Sequence, residues 1–204
     1  MRYNTIIFDL GGVLIDWNPE YLYRKIFDDE AEMQHFLTEV CHSAWNKEQD
    51  RGRPFAEAVQ ERVSAFPQYE AQIRNYHKRW DEMLGGAIEE NVRVLEDLRK
   101  QPDIHLYAIT NWSAETYPTA QRQFPFLGYF EEVVVSGELK LVKPDAAIYQ
   151  VLLDRQPAIV PEQAIFIDDV LENVEGSRAL GIHGIHLTPE TDLRKELEAL
   201  GVLP

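Results

Sequence analysis

The sequence predicts an α/β protein: a Rossmann-like parallel sheet flanked by helices, with a helical cap inserted after the first strand. Three observations lead there. Short apolar runs bounded by turn residues recur along the chain, as strands buried on both faces require. Amphipathic helical patterns separate those runs, the rhythm of parallel α/β domains. One long stretch after the first run is rich in helix formers and has no convincing strand.

Thr5–Phe8 is the first run, β-branched and aromatic, ending at Asp9 and then Gly11–Gly12. Further strands are expected at Ile104–Ile109, Glu132–Val135, Ala164–Ile167 and His183–Leu187. Between them, Glu89–Lys100 places Val92, Val94, Leu95 and Leu98 on or near one face, with charges opposite. Asp145–Arg155 carries Ile148, Val151 and Leu152 at helical spacing, and Glu172–Leu180 continues the alternation. The break falls at residues 17–85, punctuated by Asn18–Pro19, Pro54 and Phe66–Pro67 and closed by Gly85–Gly86. The expected organisation is a core of 1–16 and 86–204 with a cap of 17–85, returning through a flexible Gly–Gly joint. An insert there overhangs the carboxyl ends of the strands, where open α/β sheets bind ligands.

Composition narrows the classes. The chain has 204 residues, 45% hydrophobic and 27% charged, as ordinary globular proteins have. Its 35 acidic and 20 basic residues leave a formal charge of −15. That field repels nucleic acid and anionic membrane, so neither is an expected partner. Cys41 is the single cysteine, which rules out an intrachain disulfide or a cysteine zinc site and suits a small core residue. The N-terminal apolar run is too short for a membrane span and is interrupted by Asp9, so a cytoplasmic protein is expected.

The residues that follow the strands carry the chemistry. Asp9 ends the first, Thr110–Asn111 the second and Asp168–Asp169 the fourth, while Lys143 precedes Pro144 beyond the third. Pro144 suits the first turn of the next helix. In a parallel sheet all these positions gather at one edge. Each alone has a plainer reading: Asp9 before Gly–Gly as a turn, Thr110–Asn111 and Asp168–Asp169 as helix caps, and Lys143–Pro144 as a solvated helix entrance. Together they place three mutually repelling carboxylates beside one ammonium. A hard divalent cation relieves that repulsion, and oxygen-only ligands with a substrate phosphate point to Mg²⁺.

The segments FDLGGVLID, AITNWS, LVKPDAAIY and FIDDVLENVEGSRALGI resemble, in order and spacing, the four motifs of the haloacid dehalogenase superfamily of hydrolases. The match covers roughly residues 1–15 and 86–190, and the helical stretch resembles the cap many members carry. The nearest subgroup includes sugar-phosphate phosphatases, the phosphatase domain of soluble epoxide hydrolase and 2-haloacid dehalogenases. The resemblance implies a nucleophilic Asp9 that forms an aspartyl-phosphate, which water hydrolyses. It implies that Thr110, with Asn111 beside it, binds a phosphoryl oxygen and that Lys143 neutralises nucleophile and phosphoryl group. It further implies that Asp9, the Gly11 carbonyl, Asp168 and Asp169 hold Mg²⁺. Gly11, Gly12, Trp17 and Trp112 are the candidate substrate contacts, and the expected ligand is a small phosphorylated metabolite bound by a monomer or homodimer.

One position departs from the pattern. Phosphatases of this superfamily usually carry a second Asp two residues after the nucleophile as general acid, and here that position is Gly11. General acid catalysis is typically worth ~10²–10⁴-fold. A water or a cap residue can supply the proton, or the substrate has a leaving group needing little help. Alternatively the enzyme is a 2-haloacid dehalogenase, since halide leaves without a proton; Asn111, Lys143 and Tyr149 suit either chemistry. Dehalogenases dispense with metal and replace the Asp pair, whereas this chain keeps Asp168 and Asp169, whose charges repel a haloacid carboxylate. A non-catalytic phospho-ligand binder is the third reading, and a retained Asp9, Lys143 and Asp pair argue against it.

The cap should set specificity. Trp45 reads as packing, while Trp17 and Trp112 suit either packing or stacking on a substrate. Arg51, Arg53 and His77–Lys78–Arg79 are read as solvated helix faces before ligand contacts. Asp16, the nearest extra carboxylate, reads as a turn or cap residue before a stand-in acid. His183 and His186, three apart in a strand, point to opposite faces and cannot chelate together.

Overall fold

The computed structural model describes residues 3–204, so the first two residues of the expected core segment lie outside it. In chain order the elements are β1 (Thr5–Phe8), β2 (Ile15–Trp17), α1 (Glu20–Tyr23), α2 (Glu30–His35), α3 (Ser43–Asp50), α4 (Phe55–Ala65), α5 (Glu70–Lys78) and β3 (Leu84–Ala87). They continue as α6 (Glu89–Arg99), β4 (His105–Thr110), α7 (Tyr117–Gln123), β5 (Glu132–Val135), α8 (Ser136–Leu139) and α9 (Ala146–Arg155). The chain closes with β6 (Ala164–Asp168), α10 (Leu171–Arg178), β7 (His183–His186) and α11 (Leu193–Ala199).

Five strands form a parallel sheet in the order β5-β4-β1-β6-β7. Every residue of β1 and β6 is buried, as a strand covered by helices on both faces must be. The two-residue period divides their side chains between two cores. Ile6, Phe8, Leu106, Ala108, Ile165 and Ile167 pack on the side of Val94, Leu95 and Leu98 from α6. Ile7, Tyr107, Ile109 and Phe166 pack on the side of Ile148, Tyr149 and Leu152 from α9. From β1 the chain runs out to β4 and β5 and then returns to β6 on β1's other side. The carboxyl ends of β1 and β6 therefore flank a switch point of the topology, where ligands bind in such sheets.

Helices α1–α5 form the inserted cap. Its interior is aromatic: Tyr23 packs on Phe36 with centroids 4.7 Å apart, and Trp45 meets Tyr76 edge-on at 5.0 Å. Trp45 is thus packing, as expected. Cys41 is buried in the same cluster, and burial pushes its thiol up to about 12, leaving it protonated.

The joint between cap and core differs from the expected flexible Gly–Gly link. β2 pairs antiparallel with β3, with Ile15 opposite Ala87, Asp16 opposite Gly86 and Trp17 opposite Leu84. Gly85 lies so close to the Asp16 carboxylate and the Tyr21 ring that a Cβ would collide with both, and Gly86 has φ 116°. The glycines serve a tight two-stranded ribbon. Among the described residues no helix is long and apolar enough to cross a membrane.

Candidate active site

The site assembles because strands of one sheet end level with one another. Asp9 follows β1, and its backbone N–H still donates to Ile167 in β6 at 2.8 Å, so its position is set by the sheet. Its Oδ1 accepts from the Leu10 N–H at 2.7 Å and lies 2.9 Å from Lys143 Nζ. Asp168 is the last residue of β6 and is fully buried. Its carboxylate accepts from the Val170 N–H at 2.8 Å, from Asn173 Nδ2 at 3.0 and 3.1 Å, and from Lys143 Nζ at 2.6 Å.

Lys143 joins the two carboxylates. Its Nζ also donates to the Ile109 carbonyl at 2.9 Å, so all three ammonium protons have acceptors although the side chain has no solvent exposure. Asn111 clamps the backbone that carries it: Asn111 Oδ1 accepts from the Lys143 N–H at 2.8 Å and its Nδ2 donates to the Lys143 carbonyl at 3.1 Å. Burial alone would lower the Lys143 ammonium, but Asp9 and Asp168 outweigh it and hold the pKa above its ordinary value. Pro144 differs from expectation. It precedes α9 in a turn, joined to Lys143 by a cis bond, because Asp145 supplies the start of the helix.

Asp9, Asp168 and Asp169 offer carboxylate oxygens within 4.8 Å of one another. Burial pushes the Asp9 carboxyl up to about 7, with Asp168 and Asp169 adding to the rise and Lys143 opposing it. Asp169 is raised as well, by burial first and by Asp168 next. A cluster of three carboxylates with one ammonium is short of positive charge, and its donors are all hard oxygens of the kind Mg²⁺ and Ca²⁺ take.

Gly12 makes this cluster possible. Its φ is 73°, and a Cβ there would collide with the Asp169 carboxylate. Gly12→Ala is therefore expected to lower stability by about 1–3 kcal/mol, the cost of a left-handed non-glycine residue. It should also push Asp169 aside. Thermal unfolding and metal titration of the variant check both effects.

Above the carboxylates lies a cavity of about 260 Å³. Asp9, Gly11, Gly12, Asn111 and Asp169 form part of its wall; Trp17, Asn46, Asp50, Phe55 and Trp80 face it from the ribbon and cap, and Trp112, Ser113 and Thr116 from the loop after β4. Gly11, Gly12, Trp17 and Trp112, expected to contact substrate, all line it. Thr110 is buried at the end of β4 and lies off the wall, as do Lys143 and Asp168. Trp112 is anchored by a bond from its Nε1 to Thr116 Oγ1 at 3.1 Å, whereas the Trp17 indole N–H has no partner among the described residues.

Other side chains take the plainer role. Asp16 accepts from the Tyr21 hydroxyl at 2.6 Å and is not on the cavity wall. Arg53 is held by Gln49 and Glu61, and Arg79 by Glu82. His77 stacks on Phe55 with centroids 4.4 Å apart. His186 bonds the Asp169 carbonyl at 3.1 Å, while His183 lies against Tyr3.

The structure adds two residues that sequence reasoning passed over. Asn173, five positions beyond Asp168, lies in the first turn of α10 and orients that carboxylate; the spacing was a readable signal. Asp50 enters the cavity from the cap. No local pattern marks it, because its neighbours Ser113 and Ser136 are distant in sequence.

The model of the haloacid dehalogenase-like hydrolase family matches residues 6–187, and the chain belongs to that family. It is similar to a sesquiterpene phosphatase of Aspergillus oryzae, 27% identical over 97% of this chain and 96% of that one. A phosphorylated carbohydrates phosphatase of Thermotoga maritima is 25% identical over 89% of this chain and 83% of that one. A haloacid dehalogenase family enzyme from Bacteroides thetaiotaomicron, solved with magnesium and inorganic phosphate, superposes with a TM-score of 0.71. It is 22% identical and covers 95% of this chain and 98% of that one, which shows a shared fold.

Proposed function

We propose that the protein is a Mg²⁺-dependent phosphatase of small phosphate monoesters, acting through an aspartyl-phosphate on Asp9. The single observation that carries this reading is the convergence of Asp9, Asp168 and Asp169 beneath a cavity, with one fully buried lysine bridging Asp9 and Asp168. Asp9, Asp168, Asp169 and the Gly11 carbonyl would hold the ion, and the hard-oxygen donor set fits it. Bound Mg²⁺ supplies charge neutralisation, letting an anionic ester approach an anionic chain. Lys143 opposes the rise that burial imposes on the Asp9 carboxyl and orients it, and Asn111 keeps Lys143 in place. Asn111, on the cavity wall just past the end of β4, is assigned to a phosphoryl oxygen, and Thr110, buried off that wall, lies behind it. The relatives named as phosphatases, and the Bacteroides enzyme solved with magnesium and phosphate, support the same chemistry.

The moving unit is assigned to residues 17–85 and the core to 1–16 and 86–204, in a monomer or homodimer of the cytoplasm with no nucleic-acid or membrane partner. The substrate class is sugar-phosphate-like. Tryptophan and phenylalanine rings suit the C–H face of a sugar, and Asn46 and the unpartnered Trp17 N–H suit hydroxyls. A second reading, an ester of an apolar alcohol, is favoured by Trp17, Phe55, Trp80 and Trp112 lining one small cavity. The 2-haloacid dehalogenase alternative is disfavoured because a metal-free carboxylate cluster repels the substrate's own carboxylate.

Two measurements test this. Phosphate release from hexose, pentose and prenyl phosphates should require Mg²⁺ and vanish with EDTA. Millimolar Mg²⁺ should also raise the melting temperature, since an ion that binds only the native state stabilises it by mass action. Activity and melting temperature that ignore both Mg²⁺ and EDTA would overturn the metal assignment.

A further inference from the structure

We propose that Asp50, carried by the cap, protonates the leaving-group oxygen, taking the place of the carboxylate that position 11 lacks. The proposal rests on the phosphatase reading. The carboxylates on the cavity wall are Asp9, Asp50 and Asp169. Asp9 and Asp169 belong to the three-carboxylate cluster and Asp50 does not, so it alone is free of the metal and the nucleophile.

Its placement is built. Asp50 ends α3, and its backbone carbonyl accepts from Ser136 Oγ at 2.6 Å, a bond from core to cap. Asn46 Nδ2 donates to its carboxyl Oδ2 at 3.2 Å. Gly52, two residues on, passes so close to the Gly137 carbonyl that a Cβ would lie 2.9 Å from that oxygen. Phe55 N–H bonds Glu115 Oε1 at 2.8 Å, so the segment from Asp50 to Phe55 is seated on the core and brings the carboxyl in with cap closure.

The carboxyl also has the right protonation state. Burial pushes it up to about 8, Asp9 across the cavity adds to the rise, and the Ser113 N–H and Lys47 of its own helix oppose it. Other nearby charged groups are engaged elsewhere: Arg51 lies between Glu48 and Asp145 at 3.9 and 3.8 Å, and Glu115 between Phe55 N–H and His77. The Tyr76 phenol of α5, raised by burial, stays neutral. Asp50 is therefore a proton donor at neutral pH, as a general acid must be.

The step balances. Asp9 Oδ forms a bond to phosphorus as the P–O bond to the alcohol breaks; the electron pair goes to the alcohol oxygen, which takes the Asp50 proton. The Asp50 carboxylate then accepts a proton from the water that attacks phosphorus, releasing phosphate and restoring both aspartates.

The test compares Asp50→Asn with the unmodified protein on two esters, p-nitrophenyl phosphate, whose leaving group needs no proton, and an alkyl phosphate, whose leaving group does. The kcat/KM of the alkyl ester, which reads the steps up to departure of the alcohol, is expected to fall on the order of 10²-fold. That of the aryl ester should fall far less because its leaving group departs unaided, while kcat, which includes the water step, falls for both. In the unmodified protein kcat/KM for the alkyl ester should fall as pH rises through about 8, where the acid loses its proton, and the variant should lack that limb. Asp50→Glu, which keeps a proton donor, should restore part of the alkyl ester rate. Equal losses of kcat/KM on the two esters, or an alkaline limb retained in Asp50→Asn, would overturn the assignment. No phosphate from either ester with the unmodified protein would instead sink the phosphatase reading itself, and the proposal with it.

Discussion

Asp9→Asn is expected to lose phosphate release by on the order of 10⁴-fold or more, the scale seen when a covalent nucleophile is removed. The amide keeps the shape of the side chain and can still accept from the Leu10 N–H, which Asp9 Oδ1 does at 2.7 Å. The fold should therefore survive. Lys143 keeps its shorter contact, 2.6 Å to Asp168. Stability gives an independent signature. The native Asp9 carboxyl is raised from 3.8 to about 7, so the metal-free native state holds a proton that the unfolded chain releases. Stability of the metal-free protein should then fall as pH rises from 3.8 towards 7, and Asp9→Asn should remove that part of the slope. Thermal unfolding in EDTA across this pH range reads it directly.

Lys143→Met carries the second large effect, on the fold as well as on turnover. The ammonium is the counter-charge of Asp9 at 2.9 Å and of Asp168 at 2.6 Å, in a place with no solvent exposure. Removing one partner of such a buried pair costs about 3–5 kcal/mol, because the remaining charge stays desolvated. For a chain of this size that lowers the melting temperature by roughly 6–20 °C. The ammonium's pKa is raised, so its contribution is complete below 10.5 and is lost as pH climbs through the higher native value. The variant should be insensitive in that alkaline window. Mg²⁺ should recover part of its stability by supplying charge to the same carboxylates, whereas activity should not return. Lys143→Arg is not expected to rescue, since a planar guanidinium has no room where the ammonium already meets three acceptors.

The parallel sheet was legible because its signal is local. Thr5–Phe8 and Glu132–Val135 form strands at the boundaries their apolar runs suggested, and the others differ by a residue or so at an end. The same logic brought Asp9, Asn111, Lys143 and Asp168 to one edge, since parallel strands must end together. The β2–β3 ribbon was not legible. Leu84–Ala87 contains two glycines and no β-branched residue, so its strand character comes from pairing with Ile15–Trp17 across the whole cap. Asp50 was hidden for a related reason. Its charge sits in a run of helix formers that looks solvated, and only the contact of the cap with Ser136, distant in sequence, brings it to the cavity that Asp9 also lines. Thr110 shows the reverse: the strand-end position was legible, but the structure buries its side chain off the cavity wall.

The central claim is that Asp9 attacks phosphorus, with Mg²⁺, and not the carbon of a haloacid. It is tested most directly by offering the protein phosphate esters and 2-haloacids in parallel, each with Mg²⁺ and with EDTA, beside Asp9→Asn. The account predicts phosphate release that EDTA and the substitution both abolish, and no halide. Halide release that persists in EDTA and disappears in Asp9→Asn would contradict it, leaving Asp168 and Asp169 as structural partners of Lys143.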